Sequence, residues 1–265
     1  MNIFLREMKA NRKSLIIWCI GVLFMIGAGM AKYTAFATTG EDVNAIFSQL
    51  PKAMLAMFGM IGMDLSKASS FYAVIYILVV VMAAIHAGML GAGIIAKEER
   101  DKTSEFLYVK PISRQNIITS KISAALVNIV ILNLFTLVSS IGIMAKMGNG
   151  EDITTAILIM MLGMLILQVL FMFIGAGLAA LSKKPRSAGS LAAGIILGTY
   201  LLYVVIQMND KLEWLRFLSP FTYFQASDII LNTNLELPYA VLSLAIAAVF
   251  GVVTYIFYKK KDLSL

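Results

Sequence analysis

Long apolar runs separated by short charged stretches dominate this chain. The runs fall at 15–31, 71–96, 124–145, 157–181, 188–207 and 239–258, and within those bounds none holds Asp, Glu, Lys or Arg. About 30 Å of hydrocarbon needs ~20 helical residues to cross it, so each run is long enough to be a bilayer span. Backbone polar groups must be satisfied inside lipid, which leaves helices or a closed barrel. A barrel strand alternates inward and outward over ~10 residues. These runs do not alternate, so the pattern predicts an all-α, polytopic membrane protein with six transmembrane helices in a single transmembrane domain over 1–265.

Two connecting segments carry a pattern of their own. Between Thr34 and Ser70, Ile46, Leu50, Met54, Phe58 and Ile61 recur at helical spacing. Between Met208 and Pro238 lies an aromatic cluster of Trp214, Phe217, Phe221, Tyr223 and Phe224. Tyr and Trp favour the headgroup zone. Both segments are predicted to form short interfacial helices that anchor the bundle, with an outer gate over a translocation path as a compatible second reading. Whether they enter the bilayer is left open by the pattern.

Composition agrees with the spans: 60% of the residues are hydrophobic and 14% charged, against about 25% charged in a soluble domain. The net charge of +7 is distributed by topology. The N-terminal tail, 97–123, 182–187 and the C-terminal tail hold 16 of the basic residues, and the opposite loops hold six. Acidic residues do the reverse, six against nine. Basic loops stay inside, so both termini are expected in the cytoplasm and the protein in the cell membrane. The charge is then a topology signal, and no nucleic-acid partner is expected.

The chemistry inside the runs is sparse. His86, Asn128, Asn133, Gln168 and Gln207 are the notable polar residues. Intramembrane ionisable groups mark proton and ion pathways, so their scarcity argues against an ion-coupled carrier. It also argues against an intramembrane hydrolase, which needs a nucleophile and a tuned base. No catalytic residue and no metal site are expected. The single histidine is expected to hydrogen-bond across helices, and Cys19, the single cysteine, to pack. Gly88 and Gly91 in the second run, and Gly194 and Gly198 in the fifth, are expected at close helix contacts, with a dimer contact as one use of the latter pair.

The most informative stretch is 97–122. The second helix is expected to run on through Glu99, with Glu98 and Lys102 spaced i, i+4. Phe106, Leu107 and Tyr108 place an apolar patch beside the charges, and Pro111 breaks the helix. Ser113 is a candidate N-cap for a helix that starts at Arg114 and enters the third span. A pure headgroup binder would be mainly basic. Mixed charges around an apolar centre suit a protein partner better.

These residues resemble the cytoplasmic signature of ABC transporter type 2 permeases. The likeness rests on Glu98 or Glu99, Thr103, Glu105, Phe106-Leu107, Pro111-Ile112-Ser113-Arg114 and Lys121. It extends to the six-span layout, a short basic N-terminal helix at 3–13, and Leu218-Ser219-Pro220-Phe221 with Tyr223-Phe224 before the last span. Lys102 departs from it, standing where the family often has glycine. The resemblance implies a membrane-spanning permease subunit, not an enzyme, that pairs with a second copy or a related chain. It implies that 97–122 is a coupling helix docked on a separate ATP-binding cassette ATPase, where ATP and Mg would be bound. Glu98, Glu99, Thr103, Glu105, Phe106, Pro111, Ser113 and Arg114 are the implied coupling residues. The resemblance implies export of an amphipathic cargo such as a lipid, peptide or drug. This chain has no GxxxxGK[ST] phosphate loop of its own. The alternative reading is a membrane assembly or immunity protein that holds a cytoplasmic partner without transporting.

Overall fold

The computed structural model describes residues 2–39, 42–101, 113–182 and 187–260. Helix α1 (Ile3–Thr39) is followed by the short helices α2 (Val43–Ser48) and α3 (Lys52–Met57) and then by α4 (Ala68–Arg100). Next come α5 (Arg114–Met147), α6 (Thr154–Leu181) and α7 (Ala188–Met208). Two 3-10 turns (Asp210–Leu218 and Pro220–Thr222), α8 (Ala226–Asn232) and α9 (Leu237–Lys260) complete the chain. The helices α1, α4, α5, α6, α7 and α9 are long and apolar enough to cross a membrane, as the six runs predict. Among the described residues there is no strand.

The span helices exceed the apolar runs at one or both ends. The helix expected at 3–13 forms the first turns of α1 and runs into the first span without a break. Nothing between Arg6 and Ser14 interrupts it, because this stretch has no Gly or Pro and is rich in good helix formers. The second helix continues to Arg100, as expected. Alternating passage places Ile3, Asp101, Ser113, Ser182, Ser187 and the end of α9 at Lys260 at one end of the bundle, here called the basic end.

Helix α4 is the axis of the bundle, buried along most of its length and touching α1, α5, α6 and α7. Its closest partner is α6, and glycine makes the approach possible. A Cβ built on Gly91 would fall on the Met172 carbonyl, and one on Gly175 would fall on the Gly88 carbonyl. Without side chains the two backbones meet directly, which suits association in lipid, where packing replaces the hydrophobic effect. Gly194 and Gly198 behave differently. A Cβ on either meets nothing within 4 Å, so among the described residues no other helix packs closely on the GxxxG pair. Outward-facing Ile16, Ile17, Ile20 and Phe24 on α1, with Val241, Val249 and Val252 on α9, present the apolar surface that a bilayer would cover.

Polar residues inside the bundle tie helices together. Tyr76 donates to the Met160 carbonyl. Asn133 donates to the Met161 carbonyl at 3.0 Å and to Gln168 Oε1 at 3.3 Å. At the far end, the Glu151 carboxylate accepts from the Ala68 and Ser69 amides at 2.9 and 3.0 Å. It thus caps α4, whose own N-cap residue Lys67 makes no side-chain cap bond.

Candidate coupling site at the basic end of the bundle

Five charged side chains converge where α1, α4 and α5 meet. The stretch from Arg6 to Lys9 follows the helical period, so Glu7 points inward while Lys9, Arg12 and Lys13 point out. Glu7 is fully buried, and its carboxylate accepts from Arg6 at 2.9 Å and from Lys97 at 3.1 Å. Arg6 also bonds Glu98 at 3.0 Å. On the other side of Glu98, the Lys121 ammonium pairs with its second carboxylate oxygen and donates to the Ile94 carbonyl at 2.6 Å. The Lys121 side chain is 0% exposed and that of Glu98 8%. An ionised pair removed from water persists when its remaining donors and acceptors are satisfied, and Arg6 and the Ile94 carbonyl do this here.

This network flanks the segment singled out in the sequence. Glu98 lies three residues before the end of Asp101, the cap of α4, and Lys121 lies two turns into α5. Ser113 caps α5 as expected, accepting from the Asn116 amide at 3.2 Å. Arg114 donates to the Lys259 carbonyl at 2.8 Å, joining the start of α5 to the end of α9. The two helices that bracket 102–112 are thus tied to each other and to both terminal helices. Thr103, Glu105, Phe106 and Pro111 lie outside the described residues, as does Lys102.

The residues read from the sequence therefore divide. Glu98 faces inward into the ion network, and its charge serves contacts between helices. Glu99 is half-buried on the adjoining face of the same turn. Ser113 and Arg114 fix the start of α5. The six apolar runs hold no charge, yet the bundle buries Glu7, Glu98 and Lys121. They lie where the helices run past the apolar stretches, so a hydropathy window leaves them out. Arg6 and Glu7 were missed as site residues. The available signal was Glu7 itself, the lone acid among Arg6, Lys9, Arg12 and Lys13.

A family model described as ABC-2 family transporter protein matches residues 1–263. The chain belongs to this family. No match is found among curated proteins. As an ABC-2 chain it is a multi-pass membrane permease, and its charged network stands on the helices on either side of 102–112. At the opposite end, an 800 Å³ cleft is lined by Asp64, Lys67, Asp210, Glu213, Arg216 and Asp228 among others. Hydrogen bonds from Ser66 and Asn44 hold the Asp64 carboxyl below the ordinary range. The aromatic segment is anchored beside that cleft. Tyr223 stacks on Tyr239 at 4.7 Å, while Trp214 and Phe217 stay exposed.

Proposed function

We propose that this ABC-2 permease exports an amphipathic substrate, such as a lipid, peptide or drug, using ATP and Mg bound by a separate cassette ATPase. In this reading 97–122 is the coupling segment, the basic end and both termini are cytoplasmic, and two permease chains form the transport unit. The observation that carries it is the buried Glu98–Lys121 pair with its Arg6 and Glu7 extensions. A conformational change needs an input that binds two states differently. A partner pushing on 102–112 would move the end of α4 and the start of α5 together, because these are pinned to each other and to α1. The mixed acid and apolar character of Glu105-Phe106-Leu107 supports a protein as that partner.

The test is co-purification with the ATPase, ATP hydrolysis and transport in proteoliposomes. Glu105→Arg combined with Phe106→Ala is expected to leave membrane insertion intact and to abolish stimulated hydrolysis and transport. A double variant that still assembles with an ATPase and transports normally would overturn the docking assignment. Orientation is tested in a Cys19→Ala background by labelling single cysteines at Lys9 and Ser48. Labelling of Lys9→Cys from outside intact cells would reverse the assigned topology.

A further inference from the structure

The 800 Å³ cleft opposite the basic end lies between the loop before α4, the start of α4, the end of α7, the first 3-10 turn and α8. A space of this size takes a drug-sized molecule. Ser69 and Ser70, in the first turn of α4, line it, and each is only 6% exposed. The Ser69 amide is taken by Glu151, but neither serine hydroxyl has a hydrogen-bond partner among the described residues. His86 Nδ1, expected to bond across helices, also lacks a partner, as do Gln168 Nε2 and Arg216 Nε, but those atoms are sealed within the protein. The two serines border open space. A buried hydroxyl unmatched by the protein calls for a partner, and here that partner can come from outside.

The charge around the cleft is unequal. Asp64, Asp210, Glu213 and Asp228 line it against Lys67 and Arg216, four carboxylates to two cations. Lys67 stands beside Asp64 and offsets its charge. Arg216 is already shared: it lies 3.4 Å from Glu236 and 3.8 Å from both Asp228 and Glu213. It also bonds the Thr222 carbonyl at 3.4 Å and sits over the Tyr239 ring, 5.5 Å from its centroid. One guanidinium carries a single charge and cannot neutralise three carboxylates. Asp210, exposed on the first 3-10 turn, forms no ion pair among the described residues. A cleft with an excess of one sign concentrates the opposite charge. Its walls also carry Ile61, Met63, Ile206, Ile230 and Leu231, which suit an apolar body. No group of three or more His, Cys, Asp or Glu that could hold a metal ion is found among the described residues.

We propose that this cleft binds one organic ammonium with an apolar body, held by the Ser69 and Ser70 hydroxyls and by the surplus of carboxylate. An ammonium has N–H donors and no acceptor, which suits hydroxyl and carboxylate oxygens. As a statement about cargo this rests on the export reading and narrows the amphipath to a cationic one. As a statement about binding it requires neither ATP nor a partner subunit.

The test is fluorescence anisotropy of dansylcadaverine, an aromatic ring system on a primary ammonium, with the purified full-length chain in phosphatidylcholine nanodiscs and empty discs as blank. One probe is expected to bind per chain, about tenfold tighter than its uncharged N-acetyl analogue, as two partly exposed charge pairs allow. Methylammonium, which lacks the ring system, should displace it poorly. Asp210→Lys combined with Glu213→Lys changes two exposed side chains; it should keep the wild-type unfolding temperature and remove the preference for the charged probe. Ser69→Ala combined with Ser70→Ala should weaken binding about three- to tenfold, the range of one net hydrogen bond. Equal binding of the charged and acetylated probes by the wild-type chain would overturn the proposal, as would unchanged binding in either double variant. So would displacement by methylammonium or calcium ions at the concentration of the probe. A chain that binds the probe yet exports nothing with its ATPase in proteoliposomes would leave this site standing and overturn the export reading alone. Export of a neutral amphipath by a chain that does not bind the probe would overturn the site alone.

Discussion

Lys121 offers the sharpest test of how the basic end is held. Replacing it with Met keeps most of the volume and removes the ammonium that bonds Glu98 and the Ile94 carbonyl. Breaking a buried pair by deleting one partner costs about 3–5 kcal/mol when the survivor is left uncompensated. Glu98 would still hold Arg6 at 3.0 Å, so Lys121→Met should fall below that range, at about 2–3 kcal/mol. Glu98→Gln is more severe, because it strands an ammonium with 0% exposure, and about 3–5 kcal/mol is expected. The double variant has neither charge buried and should cost only about 1–2 kcal/mol. The two changes are therefore expected to be non-additive by several kcal/mol, far beyond the ~0.5 kcal/mol scatter of independent sites. The assay is reversible unfolding in mixed SDS and detergent micelles, followed by tryptophan fluorescence. Costs that simply add would show that the pair contributes nothing as a pair and would refute the account of the network.

Three further outcomes follow from packing and capping. Gly91→Ala or Gly175→Ala should destabilise by more than ~2 kcal/mol through forced backbone separation, whereas Gly194→Ala should be neutral or stabilising by up to ~1 kcal/mol through helix propensity; thermal unfolding separates the two classes. Glu151→Ala should cost about 1–2 kcal/mol through loss of the α4 cap and raise hydrogen exchange at Ala68 and Ser69. Ser113→Ala should cost about 1 kcal/mol, with faster exchange confined to the first turn of α5; equal exchange along α5 in variant and wild type would contradict the cap.

The hydropathy pattern by itself determined the six spans, because the bilayer is a uniform solvent and whether a helix suits it depends on residues close together in the chain. Local chemistry likewise determined the Ser113 cap and the extension of α4 past Glu99. The polar contacts that organise the basic end were a tertiary decision. Lys121 and Glu98 are 23 residues apart and Arg6 and Glu98 are 92 apart, and nothing local links them. Their meeting depends on the rotation and depth at which α1, α4 and α5 pack. Of the glycines singled out, Gly88 and Gly91 approach another backbone while Gly194 and Gly198 face outward, although spacing alone favours the latter pair. A sequence states which residues are small or charged; which face each turns to its neighbour is fixed only when all the helices settle against one another.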